Sequence, residues 1–316
     1  MIQELYECLD KNVWYEYFKK IWENDLINGK NWIDFEQEIL EVIDFFDHKI
    51  ANKYESISKL QGNFVSEKIQ YFWSLFYVKI QQGNVQKCTW SDFIDKTYQD
   101  LQDLVRCLEI YLDDCVTKIP ITCYSPDIKE LECGSILSFN YTVIPVNIYP
   151  SLNTHTHYIH GCAETKRSAE ENNMVLGINE YWEGNDKNTH TNFNLYKKFV
   201  QRIIKETGID YKKALNRMVL DYNVVKTSYE RVNRQPPNCN NVYIFGHSLD
   251  ATDGDVLREV MQPDGVVTTI FYRDKQQQAN QIANLSKVLG QEELLQRAFS
   301  VSPTIIFKQQ ADMKQL

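Results

Sequence analysis

Three segments of the sequence place polar residues at or directly after the end of a short apolar run. They are Asn140, His160 and, after Gly246, His247 and Ser248; the runs have the length and composition of buried strands. The runs occupy residues 136–139, 157–160 and 242–245. Because ligands of an open parallel sheet bind outside the carboxyl ends of its strands, the segments predict one crevice assembled from distant parts of the chain.

Asn140 and His160 are the candidates for chemistry in this crevice. The amide of Asn140 can donate and accept at once, as is needed to hold a water or a ribose hydroxyl. A histidine, whose unperturbed pKa is about 6.5, can take a proton from a hydroxyl or water at neutral pH, and Gly161 leaves room beside the ring of His160. The alternatives are that Asn140 only satisfies backbone groups at a turn and that His160 is structural.

The third segment, residues 245–255, combines a flexible backbone with the start of a helix. Gly246 allows the backbone to approach a ligand closely. Thr252 and Asp255 have the spacing of a capping box, and the free N–H groups of the helix that it would open suit a phosphate. The alternative is that Asp250 and Asp253 merely brace the turn.

Two other kinds of site are disfavoured by spacing. In a strand, His155 and His157 share a face and His160 points to the other, so one metal ion could not easily be held by all three; we expect no metal. Residues 246–250 resemble half of a G-x-S-x-G nucleophile elbow, but Asp250 replaces the second glycine and would crowd the sharp turn.

Composition indicates a globular protein that does not depend on nucleic acid or membranes. Of the 316 residues 43% are hydrophobic, enough for a substantial core, and the net charge of −9 disfavours nonspecific binding to phosphates. We interpret the basic pairs Lys197–Lys198 and Lys212–Lys213 as solvated helix faces. The eight cysteines show no C-x-x-C spacing, and neither a signal peptide nor an apolar run of about 20 residues is present, so we expect reduced thiols in the cytoplasm.

The periodicity of the apolar residues changes near Pro120. Residues 1–118 show helical spacing and predict a helical subdomain, a lid, of four or five helices, with Ser91 as the cap of the clearest one. Residues 119–316 predict an α/β domain with a mostly parallel sheet. Its strands are expected at residues 136–139, 157–160, 174–177, 242–245, 266–272 and 304–307. Its helices are expected at residues 193–204, then in a further stretch that ends at about 231, and at 253–261 and 276–289. Turns are expected at 28–29, 61–63 and 83–84, and packing roles for Trp14, Trp22, Trp32, Trp73 and Trp90.

The order of these motifs resembles the bacterial abortive-infection AbiH proteins, relatives of the sirtuin-like domains of anti-phage defence. The motifs are Ser-Phe-Asn-Tyr-Thr at 138–142, Ile-His-Gly at 159–161, and Phe-Gly-His-Ser-Leu-Asp at 245–250 with a following Thr-Asp; Asn-Trp-Ile-Asp-Phe-Glu at 31–36 extends the match. The resemblance implies a Rossmann-like, sirtuin-like fold that binds NAD or ADP-ribose.

The resemblance also implies roles for individual residues. Asn140 would orient the attacking water and His160 would act as base or hold a ribose hydroxyl, and the reaction would be hydrolysis of the N-glycosidic bond of NAD, with NAD as substrate or ligand. Contacts to the nucleotide would come from Gly161, Gly246, His247, Ser248, Asp250 and Asp253. Whether the chain forms a homo-oligomer or binds a partner in a defence complex stays open.

One expected part of the family pattern is missing from the sequence as given. Members of the family usually begin with a strand and a Gly-Asn-Gly-Phe-Asp-like turn, which cradles the diphosphate. Either the sequence is shortened, or a partner supplies the element, or this member has given up catalysis. The hypotheses are therefore an NAD glycohydrolase and, alternatively, a non-catalytic nucleotide sensor or interaction module.

Overall fold

The computed structural model describes two compact units. It covers residues 2–27, 29, 33–52, 64–82, 88–143, 148–149, 152, 155–208 and 210–316. The first unit comprises residues 1–119, 140–143 and 160–208, and the second comprises residues 120–139, 144–159 and 209–316. The segments that carry Asn140 and His160 thus belong to the same unit as the N-terminal helices.

Helices make up most of the regular structure. They are α1 (Ile2–Leu9), α2 (Val13–Ile27), α3 (Phe35–Ala51), α4 (Glu67–Gln82), α5 (Trp90–Tyr111), α6 (Pro126–Lys129), α7 (Asp186–Thr189), α8 (Lys198–Ile204), α9 (Tyr211–Glu230), α10 (Gly254–Met261), α11 (Lys275–Leu289) and α12 (Gln291–Phe299). A π-helical turn, Leu112–Val116, follows α5, and 3₁₀ turns occupy Asn194–Tyr196 and Ala251–Asp253.

The strands form three small sheets within the described residues. They are β1 (Cys123–Tyr124), β2 (Ser135–Ser138), β3 (His155–Tyr158), β4 (Asn240–Ile244), β5 (Val266–Tyr272), β6 (Ile305–Gln309) and β7 (Lys314–Gln315). β1 pairs antiparallel with β7, β2 pairs parallel with β3, and β4, β5 and β6 form a parallel sheet in that order. The protein is therefore of mixed α/β class with small parallel sheets, as the sequence predicts in outline.

Aromatic side chains fill the core of the first unit. Trp14 of α2 packs on Phe72 of α4 with ring centroids 4.6 Å apart, and Phe46 of α3 packs on Phe93 of α5 at the same distance. Such tilted ring pairs add specific attraction to the burial of large apolar surfaces. The expected packing role is confirmed for Trp14, Trp73 and Trp90. Trp22 is exposed, and Trp32 lies outside the described residues.

The stripe of apolar residues on α5 is confirmed, but its predicted cap is wrong. Thr89, not Ser91, precedes the helix, and its hydroxyl accepts a hydrogen bond from the backbone N–H of Asp92. The carboxylate of Asp92 in turn accepts from the backbone N–H of Thr89, which completes a capping box. The turns expected at 61–63 and 83–84 lie outside the described residues, as does Asn28 of the first turn.

The second unit contains the predicted alternation of strands and helices. α10 connects β4 to β5, and α11 with α12 connects β5 to β6, as the parallel order requires. Ile244, Ile270 and Ile305 of the three strands form a buried cluster with Leu257 and Leu285 of the helices. Helix α12 was not expected; it begins directly after Gly290, whose positive φ of 92° ends α11.

The strand expected at residues 174–177 is not formed. Met174, Val175 and Leu176 are buried, but the segment is held by single hydrogen bonds, such as the 2.8 Å bond from the Val175 N–H to the His160 carbonyl, and not by a ladder. The apolar run at 174–177 therefore predicted the burial of these residues correctly and their secondary structure wrongly. Short apolar runs carry no signal that separates a strand from a buried extended loop.

The interpretation of Lys197 and Lys198 as a solvated face is also wrong. Each side chain is only 1% exposed. The Lys197 ammonium lies 2.7 Å from the carboxylate of Glu180, and that of Lys198 lies 2.7 Å from the carboxylate of Glu36. Burial of a charged side chain is tolerated here because each one is paired. Lys212 and Lys213 are exposed, as expected.

Candidate functional site

Asn140 and His160 follow the two strands of the parallel pair β2–β3 along the chain. Ser138 is paired with Tyr158 at the ends of the two strands, and the Ile159 N–H continues the ladder by donating to the Ser138 carbonyl at 3.0 Å. Asn140 and His160 therefore each stand two residues beyond a paired position. Both belong to the first unit.

His160 is buried against a tyrosine that follows Asn140 directly. Its side chain is 4% exposed, and its ring centroid lies 6.3 Å from that of Tyr141. The Tyr141 hydroxyl donates to the Val175 carbonyl at 2.7 Å, and the Val175 N–H donates to the His160 carbonyl. Asn140 itself is exposed. The pair thus combines a solvent-accessible amide with an imidazole held in a packed environment.

The conformation and packing of Gly161 explain why this position is a glycine. Its φ is +77°, and a Cβ atom built on it would lie 2.1 Å from the carbonyl oxygen of Asn173. The Asn173 side chain also accepts a 3.1 Å hydrogen bond from the Cys162 N–H. Asn173 therefore occupies the space that a side chain at position 161 would need. A contact from Gly161 to a nucleotide stays a prediction.

A buried carboxylate fastens the segment after His160 to α5. Glu109 is completely buried and accepts a 2.6 Å hydrogen bond from Arg106, one turn earlier. It also accepts from the backbone N–H of Glu164 at 3.2 Å and from the side-chain amide of Asn172. The Asn172 oxygen accepts from the Met174 N–H at 2.9 Å. Glu109 therefore binds both the beginning and the end of the loop that starts at His160.

Asp113, in the π-helical turn after α5, makes a second attachment to the same loop. Its carboxylate accepts from the backbone N–H and the hydroxyl of Thr165 at 2.8 and 2.6 Å. These hydrogen bonds favour the charged form and lower the pKa of Asp113. Neither Asp113 nor Glu109 was predicted from the sequence. For Glu109 the available signal was Arg106 three residues earlier, a spacing at which two side chains meet on a helix.

Lys205, at the end of α8, is a further group that the sequence analysis missed. Its ammonium donates to the Met174 carbonyl at 2.5 Å. Burial lowers the pKa of Lys205 to about 8, an effect that the negative charge of Glu109 partly opposes. The loop after His160 thus lies among several buried ionisable groups.

The third segment belongs to the second unit and follows β4. Gly246 has a φ of +66°, and a Cβ atom there would meet no atom within 4 Å. Ser248 is exposed, whereas Leu249 is buried and adopts a φ of 60°, which is unusual for a residue with a side chain. The Leu249 N–H donates to Nδ1 of His247 at 2.8 Å, and the His247 ring packs edge-on against Phe139 at 4.3 Å. His247 therefore stabilises the turn that exposes Gly246 and Ser248.

The expected capping box at Thr252 is wrong. The Asp250 carboxylate accepts a 2.9 Å hydrogen bond from the Thr252 N–H and so caps the 3₁₀ turn, and α10 begins only at Gly254. Oδ2 of Asp253 lies 3.6 Å from Nε2 of His247. These contacts are those expected if Asp250 and Asp253 brace the turn, which was the alternative left open for them. Nucleotide contacts from His247, Asp250 and Asp253 stay predictions.

The structure brings together part of the predicted site. Asn140, His160 and Gly161 lie together in the first unit, and Gly246 to Asp253 form one turn in the second. The single crevice joining the two sets stays a prediction. Across the described ranges, no three His, Cys, Asp or Glu side chains are grouped to hold a metal ion, and no helix is both long and apolar enough to span a membrane.

Comparison with known proteins gives one match. The family model described as bacteriophage abortive infection AbiH matches residues 3–273. None of the curated proteins and none of the solved structures matches the chain. The matched range includes all three of the segments considered above.

Proposed function

The chain belongs to the AbiH family of bacteriophage abortive infection proteins, and from this membership we propose that it defends against phage by hydrolysing the N-glycosidic bond of NAD. The family itself implies abortive infection. The proposal adds a sirtuin-like, nucleotide-binding character for the α/β part and an enzymatic activity. Its support comes from the arrangement of Asn140 and His160.

The observation that carries the proposal is the matched position of these two residues beyond the paired strand ends. Cleavage of an N-glycosidic bond passes through an oxocarbenium-like ribose, so groups that orient a water and take its proton are sufficient for hydrolysis. In the proposal, the exposed amide of Asn140 orients the water. His160 accepts the proton of that water or holds a ribose hydroxyl.

The proposal assigns the ribose or phosphate contacts to the turn after β4. Gly246 and Ser248 are exposed there, and the free space beside Gly246 fits close approach of a ligand to the backbone. His247 and Asp253 support this turn from within. Their part in the proposal is to keep the turn in the conformation that presents Gly246 and Ser248.

The test is an assay for NAD cleavage. Purified protein is incubated with NAD, with and without phage extract, and nicotinamide and ADP-ribose are measured. We expect turnover that Asn140→Asp and His160→Gln each reduce at least 100-fold, within the range that general acid–base groups contribute. His155→Gln, at an exposed histidine of β3, serves as control and should leave turnover unchanged. Absence of turnover in every condition would contradict the proposal.

A second candidate, a non-catalytic nucleotide sensor or interaction module of a defence complex, is favoured by the burial of His160. A general base must reach the water it activates, and a 4% exposed imidazole has little access to solvent. Calorimetry with NAD and ADP-ribose, repeated on His160→Ala, separates the two candidates. Binding that the substitution leaves unchanged, without any cleavage, would favour the sensor.

A further inference from the structure

Two side-chain amides of α11 hold the turn that follows β4. Gln281 is 1% exposed, and its Nε2 donates to the carbonyl of His247 at 3.0 Å and to that of Phe271, in β5, at 3.2 Å. Asn284, about one turn further along α11, donates from Nδ2 to the carbonyl of Ser248 at 3.1 Å. Two successive carbonyls of the turn therefore point toward α11.

The direction of these carbonyls determines the direction of two backbone N–H groups. The C=O and the N–H of one trans peptide point in opposite directions, and no cis peptide occurs among the described residues. The N–H groups of Ser248 and Leu249 therefore point away from α11. That of Leu249 donates to Nδ1 of the His247 ring at 2.8 Å. Ser248 is exposed, and within the described part of the chain no group accepts from its N–H.

We propose that Gln281 and Asn284 are positioning residues of the nucleotide site, which orient the turn so that the Ser248 N–H donates a hydrogen bond to a ribose or phosphate oxygen of the ligand. This inference rests on the nucleotide site of the proposed function and names the atom that binds the ligand there. The two amides do not touch the ligand. They act through the backbone of residues 247–249.

The burial of Gln281 and the strain of the turn support this role. Oε1 of Gln281 is buried and has no hydrogen-bond partner among the described residues, which costs stability. A methionine would fill nearly the same space without an unpaired oxygen, so packing alone does not explain an amide at this position. Leu249 has a φ of 60°, a conformation that persists only where the surrounding contacts hold it. The bonds donated by Gln281 and Asn284 supply such contacts on both sides of Ser248.

The test compares three variants of α11. Gln281→Met keeps the side-chain volume and removes both hydrogen bonds, Asn284→Ala removes one bond at a partly exposed position, and Gln276→Met, at an exposed position, is the control. NAD turnover is measured over a range of substrate concentrations. Calorimetry gives the dissociation constants of ADP-ribose, ADP and adenosine, and urea denaturation gives the stability of each variant.

We expect Gln281→Met to raise the KM for NAD and the Kd of ADP-ribose about 10-fold, the effect of losing one hydrogen bond to the ligand. Its kcat should stay within about twofold of the wild type, because Asn140 and His160 are unchanged. Asn284→Ala should raise both constants about threefold, since its bond is more exposed, and Gln276→Met should change neither. If Gln281→Met does not fold, Asn284→Ala makes the same comparison.

The smaller ligands show which oxygen the Ser248 N–H binds. A loss of affinity that ADP-ribose and ADP share, but adenosine does not, assigns the bond to the diphosphate. A loss that adenosine also shows, or that ADP-ribose alone shows, assigns it to a ribose hydroxyl.

Failure of this inference can be told apart from failure of the proposed hydrolysis. If the wild type binds ADP-ribose without cleaving NAD, hydrolysis is refuted and the dissociation constants still test Gln281. Variants that lose stability in urea but keep the wild-type KM and Kd would overturn the inference, because Gln281 and Asn284 would then be structural only. A wild type that binds none of the three ligands would overturn it as well.

Discussion

Replacing Gly161 by alanine should disrupt the packing around His160 far more than the same change at another left-handed glycine. Gly184 provides the matched comparison. It lies in the same unit and has a φ of +56°, but a Cβ atom there would meet no atom within 4 Å. Both substitutions place alanine in a left-handed backbone, and only Gly161→Ala also drives a methyl group into the Asn173 carbonyl.

The magnitude follows from these geometries. The left-handed conformation costs an alanine about 1 kcal/mol at either position. At position 161 the Cβ atom would lie 2.1 Å from the Asn173 oxygen, where real contacts are at least 3.0 Å, so the two segments must separate by about 1 Å. That movement weakens the hydrogen bond from Val175 to His160, worth about 1 kcal/mol, and adds about 1–2 kcal/mol of overpacking. We expect losses of about 3–4 kcal/mol for Gly161→Ala and about 1 kcal/mol for Gly184→Ala.

The assay is urea denaturation of both variants, with amide hydrogen exchange to locate the effect. We expect faster exchange within residues 160–175 of Gly161→Ala and near-normal exchange there in Gly184→Ala. Equal losses of stability would refute the packing argument. If Gly161 instead serves mainly as a nucleotide contact, Gly161→Ala should match Gly184→Ala in stability and lose affinity for NAD.

Three further predictions concern glycine and lysine positions. Gly246→Ala should lose about 1 kcal/mol of stability, like the control Gly184→Ala at another open, positive-φ position, but by calorimetry Gly246→Ala alone should weaken NAD binding. The pKa of Lys205 is lowered from 10.5 to about 8, so the folded chain binds fewer protons than the unfolded chain between these values, and stability should rise by about 3 kcal/mol from pH 7 to above pH 10. A Lys205→Met variant should lack this rise when urea midpoints are compared at several pH values. Lys198→Met breaks a buried ion pair and should cost about 3 kcal/mol in the same assay, whereas the exposed Lys213→Met should stay within about 0.5 kcal/mol; equal effects would contradict the buried pairing.

Local patterns in the sequence were sufficient where one element alone determines the structure. The apolar stripe of α5 and the alternation of β4, α10, β5 and α11 follow from periodicity, and both are present. The N-terminal cap of α5 was predicted two residues too late because Thr89 and Ser91 are both good cap residues. Only the spacing of Thr89 to Asp92 satisfies both halves of a capping box.

Tertiary contacts determined what local patterns did not reveal. Lys197 and Lys198 have the composition of a solvated face, and their burial depends on Glu180 and Glu36, which are distant in sequence. The same holds for Glu109, whose partners lie in the loop after His160. For the candidate site, the sequence predicted that Asn140 follows a strand and that His160 ends one; Asn140 does follow β2, whereas β3 ends at Tyr158, two residues before His160. The environment of those positions required the fold.

The two separate attachments of the loop after His160 affect what a protease could do to it. Thr165 near its start is bound by Asp113, and Asn172 near its end is bound by Glu109. Lys166 and Arg167 lie between these points, so trypsin could cut the chain there. Each new end would still be held by its own carboxylate on the same helical segment. A cut at this place would therefore leave a nicked molecule that keeps both pieces, and His160, in position until the first unit unfolds.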